Sequence, residues 1–282
     1  MDIASRIEPF TIDVPEATLA DLRERLGRTR WPDAVAGAGW DYGADVGYLR
    51  ELCAYWADGF DWRAQETALN ELPHHRAAVG GLNLHFIHRR AAREDATALL
   101  LLHGWPSSFL QMVKIMPLLD DFHLVVPSLP GFGFSDRPTE PGMSVGAVAD
   151  LFVELMRDRL GYEHYAIRAS DLGAGIAPQM AMKDADAVTA LHMSGSNPSA
   201  DYSRVPDDLT DAERRMVEDA RAFIAEEFAY AKLHATKPQT PAFGSTTRRP
   251  AWPPGSSRSS AAGATAAATW SAASAATSCS RT

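Results

Sequence analysis

The stretch "AIRASDLGAGI" ends an apolar run on Asp171, with Ala169 two residues before it and Gly173 two after. A cramped strand-to-helix turn needs small neighbours at those places, which is the pattern of a nucleophile elbow. The nucleophile here would be a carboxylate. It needs no deprotonation at neutral pH, attacks carbon electrophiles directly and leaves an ester that water can cleave. The same aspartate could equally cap a helix beginning near Leu172, a common use of Asp. On this stretch alone the two readings stand level.

A second stretch, "LLLLHGWPSSFLQM", favours chemistry. A strand that ends in His103-Gly104-Trp105-Pro106 and leads into a helix is where a hydrolase sheet supplies one oxyanion-hole amide, the other coming from the residue after the nucleophile. The candidate donors are Trp105 N–H and Leu172 N–H, with His103, Gly104 and Pro106 shaping the loop. A third glycine-rich strand end, "PSLPGFGFSDRP", offers Phe132 and Phe134 either as pocket lining or as core.

These loops need elements to hold them. "EATLADLRERLGRTRWPD" places Leu19, Leu22 and Leu26 at helical spacing and stops at Pro32. "VGYLRELCAYWADGFDWRAQETALN" reads as a second helix with Leu49, Leu52, Tyr55 and Trp56 on one face. Both suit a peripheral helical layer. "LNLHFIHR" then alternates like a half-buried strand, and "ATALLLLHG", "FHLVVPSLPG", "HYAIRASDLG" and "AVTALHMSG" are short apolar runs. Separated by helical stretches such as "VGAVADLFVELMRDRLG", they predict a parallel sheet covered on both faces, with chemistry at the carboxyl ends of its strands. The polar helical sequence near residues 200–240 reads as an inserted cap.

Composition bounds the partners. The 282 residues are 46% hydrophobic and 22% charged, with a formal charge of −9, so a nucleic-acid partner is not expected. No apolar window reaches the roughly 18 residues of a membrane span, and the start has no secretory pattern. A cytoplasmic protein is the expectation. Cys53 and Cys279 form neither a disulfide framework nor a metal cluster, and no metal or cofactor is expected.

"IEPFTIDVPEATLADLRERLGRTRWPD", "WDYG", "GLNLHFIH", "LLHGWPSSF", "VVPSLPGFGFS", "SDLGAG" and "HATKPQT" together resemble the microsomal-type epoxide hydrolases, from Ile7 to about Gly244. The resemblance implies an α/β-hydrolase fold with an N-terminal helical extension over residues 1–78, a core from 79 to 198 and the start of a cap from 199 to 244. It implies a small-molecule epoxide and water as substrates and epoxide detoxification as the setting. Asp171 then resembles the nucleophile that opens the epoxide as an alkyl ester. Tyr230, in "FAYAKLHATKPQT", matches the cap tyrosine that protonates the epoxide oxygen. Leu172 stands where members commonly have Trp, and Ala169-Ser170 where they have Gly-Gly. That puts the substrate range in question more than the chemistry. A haloalkane dehalogenase-like hydrolase is the alternative that shares the Asp nucleophile, and a non-catalytic degenerate product is another.

Ester hydrolysis needs a base histidine and an acid partner, which follow the nucleophile in this fold. After Asp171 the chain has only His192 and His234, neither placed after a final strand, so base and acid are expected to be absent. From Ser245 on there is no Leu, Ile, Val, Phe or Met and no Lys, Asp or Glu, and about half the residues are Ala or Ser. Pattern is lost at one residue, which suggests a one-base deletion at the Gly244–Ser245 junction. In the preceding frame, GC-rich codons give a family-like continuation. The expectation is therefore a disordered, out-of-frame tail over residues 245–282, a core lacking its C-terminal part, and a chain prone to aggregation and unable to turn over.

Overall fold

The computed structural model describes residues 7–194 and 205–246. They fall into two compact units that meet between Met193 and Ser194. The tail beyond Thr246, for which the sequence suggests disorder, lies outside the described residues.

The first unit begins with a short strand β1 (Ile7–Pro9), followed by helices α1 (Glu16–Gly27), α2 (Val46–Ala54) and α3 (Trp62–Leu69). Strands β2 (His74–Val79), β3 (Leu82–Arg89) and β4 (Ala98–Leu102) come next, then the single-turn helix α4 (Leu110–Val113) and strand β5 (His123–Pro127). Helix α5 (Val145–Glu154), strand β6 (Tyr165–Ser170), helix α6 (Leu172–Lys183) and strand β7 (Val188–Ser194) complete it. The second unit holds α7 (Asp211–Glu226), α8 (Ala229–Thr236) and α9 (Gln239–Thr246), the helices that the polar sequence near 200–240 leads one to expect.

Among the described residues the strands form one sheet in the order β1-β2-β3-β5-β4-β6-β7. It is mixed, not purely parallel. β4 runs parallel to β5 and β6, whereas β1, β2, β3 and β5 pair antiparallel in turn. The antiparallel edge comes from a hairpin turned at Gly80-Gly81, whose φ values of 53° and 82° are the left-handed pair that a two-residue hairpin loop requires. This turn fixes the register Val79↔Leu82 through His74↔Ile87.

Side-chain alternation divides the core between the two sheet faces. Phe86, Leu100, Leu102 and Val125 join Phe152, Ile176 and Met180 of α5 and α6 on one side. Ile87, Leu101, Leu124 and Val126 join Ile12, Phe109, Met112 and Met116 on the other, with Phe10, Val14, Trp62 and Leu69 of the N-terminal extension packed over them. Both faces of β3 are therefore covered, and its Leu84, His85, Phe86 and Ile87 are all fully buried. The half-buried strand expected from alternation is corrected by this second layer. β7 is exposed over Leu191, His192 and Met193.

The extension is anchored by polar clamps. Asn70 donates to Ile12 O at 2.9 Å and accepts from Ile12 N at 2.8 Å. Glu66 accepts from Val14 N at 2.7 Å, from Trp62 Nε1 at 3.0 Å and from Arg63 at 2.5 Å. Each clamp satisfies backbone groups of a segment that has no sheet partner there. The helix expected over residues 46–70 is broken. A π turn at Tyr55–Gly59 ends it, and Asp61 restarts α3 by accepting from Ala64 N at 3.0 Å. The break leaves Trp56 buried and Tyr55 outside, about half exposed.

Candidate active site

Three strand ends build the site. β6 delivers Asp171 into its turn with φ 53° and ψ −124°, and it is the one non-glycine residue with positive φ among those described. Such backbone costs of order 1–3 kcal/mol and persists where the surroundings fix it. The small neighbours are required by contact. A Cβ on Gly173 would stand 2.8 Å from the Leu102 carbonyl and 2.9 Å from that of His103, closer than real side chains come.

β4 delivers the partner loop. Trp105 N–H donates to Asp171 Oδ1 at 2.8 Å, and Leu172 N–H donates to the same oxygen at 2.7 Å. Oδ2 receives no hydrogen bond among the described residues. Asp171 is thus the N-cap of α6, the plainer of its two sequence readings. The Trp105 amide, 66 residues away in sequence, is a contact that capping alone does not call for. Gly104 is the other necessity, because a Cβ there would overlap the Asp171 carboxyl group. The Trp105–Pro106 bond is cis and Ser107 N–H closes a turn onto Gly104 O at 3.0 Å.

His103 holds this loop from beneath. Its Nε2 accepts from Leu129 N–H at 3.1 Å, so the proton sits on Nδ1, which lies 3.1 Å from Gly104 O. The ring is buried and meets Phe132 edge-on at 5.5 Å. Burial pushes its pKa down to about 4, against the opposing pull of the Gly104 carbonyl and the Asp171 charge. His103 is a structural, neutral imidazole. Phe132 packs on the α5–α6 side of the core, and Phe134 lies 5.4 Å from Phe10 on the opposite side, so both serve as packing.

Burial lowers the pKa of three buried histidines, His74, His85 and His103, and of the half-buried His88, which sets an acid limit on the first unit. His103 and His88 are pushed to about 4, and His74 and His85 are also lowered, in each case chiefly by burial. An unfolded imidazole near 6.5 binds protons that the folded one refuses. Stability therefore falls as pH drops from about 6.5 toward 4, by about 1.4 kcal/mol per pH unit for each fully neutral imidazole in that window. Urea midpoints measured from pH 7.5 to 4.5 should decline steeply below 6.5.

The sequence reading of Asp171, Trp105, Leu172, His103, Gly104 and Pro106 as one cluster matches a set of residues that the structure brings together. Tyr230 lies in the second unit on α8, 39% exposed, with its ring 5.8 Å from Phe228. His192 is exposed on β7 and His234 lies on α8. What sequence reasoning missed is a buried His74–His85–Ser128 array beside the loop after β5. The signal was available, because the Gly-Gly hairpin register puts His74 and His85 on one face.

Residues 7–112 match the family described as epoxide hydrolase N terminus, and residues 97–251 match alpha/beta hydrolase fold. A Stigmatella aurantiaca protein named as an epoxide hydrolase is 39% identical over 83% of this chain and 55% of its own length. The crystal structure of juvenile hormone epoxide hydrolase from the silkworm Bombyx mori superposes with a TM-score of 0.71 at 31% identity, covering 86% of this chain and 60% of that one. Aspergillus niger epoxide hydrolase superposes at 0.77 and 30% identity, over 86% and 67%. The chain spans about half the length of the curated relatives it matches. Among the described residues no helix is long and apolar enough to cross a membrane. The two overlapping family matches and the shared fold carry one conclusion: this chain belongs to the epoxide hydrolase family of α/β-hydrolases.

Proposed function

We propose that Asp171 opens an epoxide as a covalent nucleophile, and that residues 1–282 by themselves complete only this first half of the hydrolysis. The observation that carries the reading is the paired donation of Trp105 N–H and Leu172 N–H to Oδ1. It differentiates the two oxygens. Oδ1 is fixed, and Oδ2 is left to attack an epoxide carbon.

The attack forms a C–Oδ2 bond and breaks the carbon–oxygen bond of the ring. The ring oxygen leaves as an alkoxide and takes a proton, for which Tyr230 is the donor by its match to the family motif. A neutral phenol suits that role because the charge to be quenched appears only as the ring opens. Asp171 is now an alkyl ester with Oδ1 as its carbonyl oxygen. Water attack on Cγ would place negative charge on Oδ1, against two backbone donors already at hydrogen-bond distance, which is the arrangement of an oxyanion hole.

That second step needs a base to activate water, and after Asp171 the 282 residues offer only His192 and His234. His192 is exposed on the last strand of the described sheet. Residues 1–282 therefore stall at the ester. Incubation with excess styrene oxide should give one covalent adduct per chain and no diol above the uncatalysed background. Sustained diol release would overturn the half-reaction. Tyr230→Phe should slow adduct formation by about 10²- to 10⁴-fold with circular dichroism unchanged, and an unaltered rate would remove Tyr230 from the mechanism.

A further inference from the structure

Among the groups with no role in the steps above, the buried pair His74 and His85 reaches furthest toward the site. His74 lies 3% exposed on β2 and His85 is fully buried on β3. Their contacts leave no freedom of protonation in the neutral state. The Leu69 carbonyl, 2.8 Å from His74 Nε2, can only accept, so the His74 proton is on Nε2. His74 Nδ1 then accepts from His85 Nε2–H at 2.9 Å. His85 Nδ1 in turn accepts from the Ser128 hydroxyl at 2.9 Å.

The run continues past Ser128. The next amide, Leu129 N–H, donates to His103 Nε2, His103 Nδ1–H faces the Gly104 carbonyl, and Trp105 N–H donates to Asp171. His85 also grips the loop by its main chain. Ser128 N–H donates to His85 O at 2.8 Å, His85 N–H donates to Ser135 Oγ at 3.0 Å, and Ser135 Oγ–H closes onto Ser128 O at 2.8 Å. The His85 ring is caged by Phe10, Phe109 and Phe134, with centroids at 5.2, 5.0 and 5.3 Å. A charged group beside this array, the Arg76 guanidinium, lies over the Phe10 ring and donates to the Phe134 carbonyl.

We propose that His85, backed by His74, is a positioning residue for epoxide opening: it transmits the anchor at the Leu69 carbonyl of the N-terminal extension to the Trp105 amide that holds Asp171. The extension is then part of the catalytic apparatus, acting through a directed row of hydrogen bonds. The charge state supports the direction. Burial lowers both imidazoles, and Arg76 and His75 add to the lowering of His85, so the neutral tautomers persist across the physiological range.

The proposal rests on Asp171 as the nucleophile, so its test has an arm that does not depend on alkylation. In the 282-residue chain labelled with ¹⁵N-histidine, His74 and His85 should appear as neutral Nε2–H tautomers and His103 as the neutral Nδ1–H tautomer, unchanged from pH 8 to pH 6. His85→Phe keeps the ring in its cage and removes both hydrogen bonds. It should shift the Trp105 and Leu172 amide proton resonances and slow Asp171 alkylation by styrene oxide at least about tenfold, since small misplacements at a reacting group cost this much or more. Ser128→Ala, a milder change, should do the same, and the double variant should lose no more than the larger single loss. Unmoved Trp105 and Leu172 amides in both variants, other tautomers, or losses that multiply would overturn it. If the tautomers appear and both variants shift the two amides, but the unsubstituted chain takes up no epoxide, the nucleophile reading fails and the hydrogen-bonded row stands.

Discussion

Asp171→Asn should abolish covalent capture of an epoxide, lowering the alkylation rate on the order of 10⁴-fold or more, the scale seen when a nucleophile is removed. The substitution isolates one atom. Asparagine keeps an Oδ1 that can accept from Trp105 N–H and Leu172 N–H, as the aspartate does at 2.8 and 2.7 Å. It is also among the residues that tolerate positive φ, which this elbow demands at 53°. Only Oδ2, the oxygen proposed to attack, is exchanged for an amide nitrogen. The variant should retain the thermal unfolding midpoint of the parent to within a few degrees and show no adduct by intact-mass measurement. An adduct formed at the parental rate would place the nucleophile elsewhere.

Gly104→Ala should be nearly as damaging, by a steric route. No backbone strain is expected, because Gly104 does not occupy the left-handed region. The methyl group would instead overlap the Asp171 carboxyl and push it off the Trp105 amide. Loss of one such donor costs about 10²- to 10³-fold where it has been removed from acyl-transfer enzymes, and misorientation of Oδ2 adds to it. Alkylation should fall by about 10²-fold or more with secondary structure intact. Gly173→Ala is the instructive contrast, since its methyl would meet the Leu102 and His103 carbonyls at 2.8 and 2.9 Å. That clash is with backbone, so the loss should appear in stability as well as in rate. Thermal melts of the two variants separate the cases.

The cluster around Asp171 was legible in the sequence because each of its members is forced by local chemistry. Small residues flank a cramped turn, and a Gly-x-Pro loop follows an apolar strand. Strands β4, β5 and β6 were legible as short, largely apolar runs, β4 and β5 covered on both faces and β6 buried on one. The polarity of the sheet was read less well. β2, "HHRAAV", carries three polar residues in six, and its pairing is specified by the Gly80-Gly81 hairpin, not by its own apolar pattern. The helical period across residues 46–70 concealed the break at Tyr55–Gly59, where packing of Trp56 overrides periodicity. His85 looked like a solvent-side residue in an alternating strand. Its burial depends on Phe10 and Phe134, 75 and 49 residues distant, and no local window contains that contact.

The role proposed for Tyr230 comes from the family motif around it, whereas that proposed for Asp171 rests on geometry as well. The most direct measurement is peptide mapping by tandem mass spectrometry after the 282-residue chain is exposed to styrene oxide. The account predicts a single hydroxyphenylethyl ester on the peptide containing Asp171, stoichiometric and persistent after the epoxide is removed. An unmodified Asp171 peptide, with the label absent or on another residue, would contradict it.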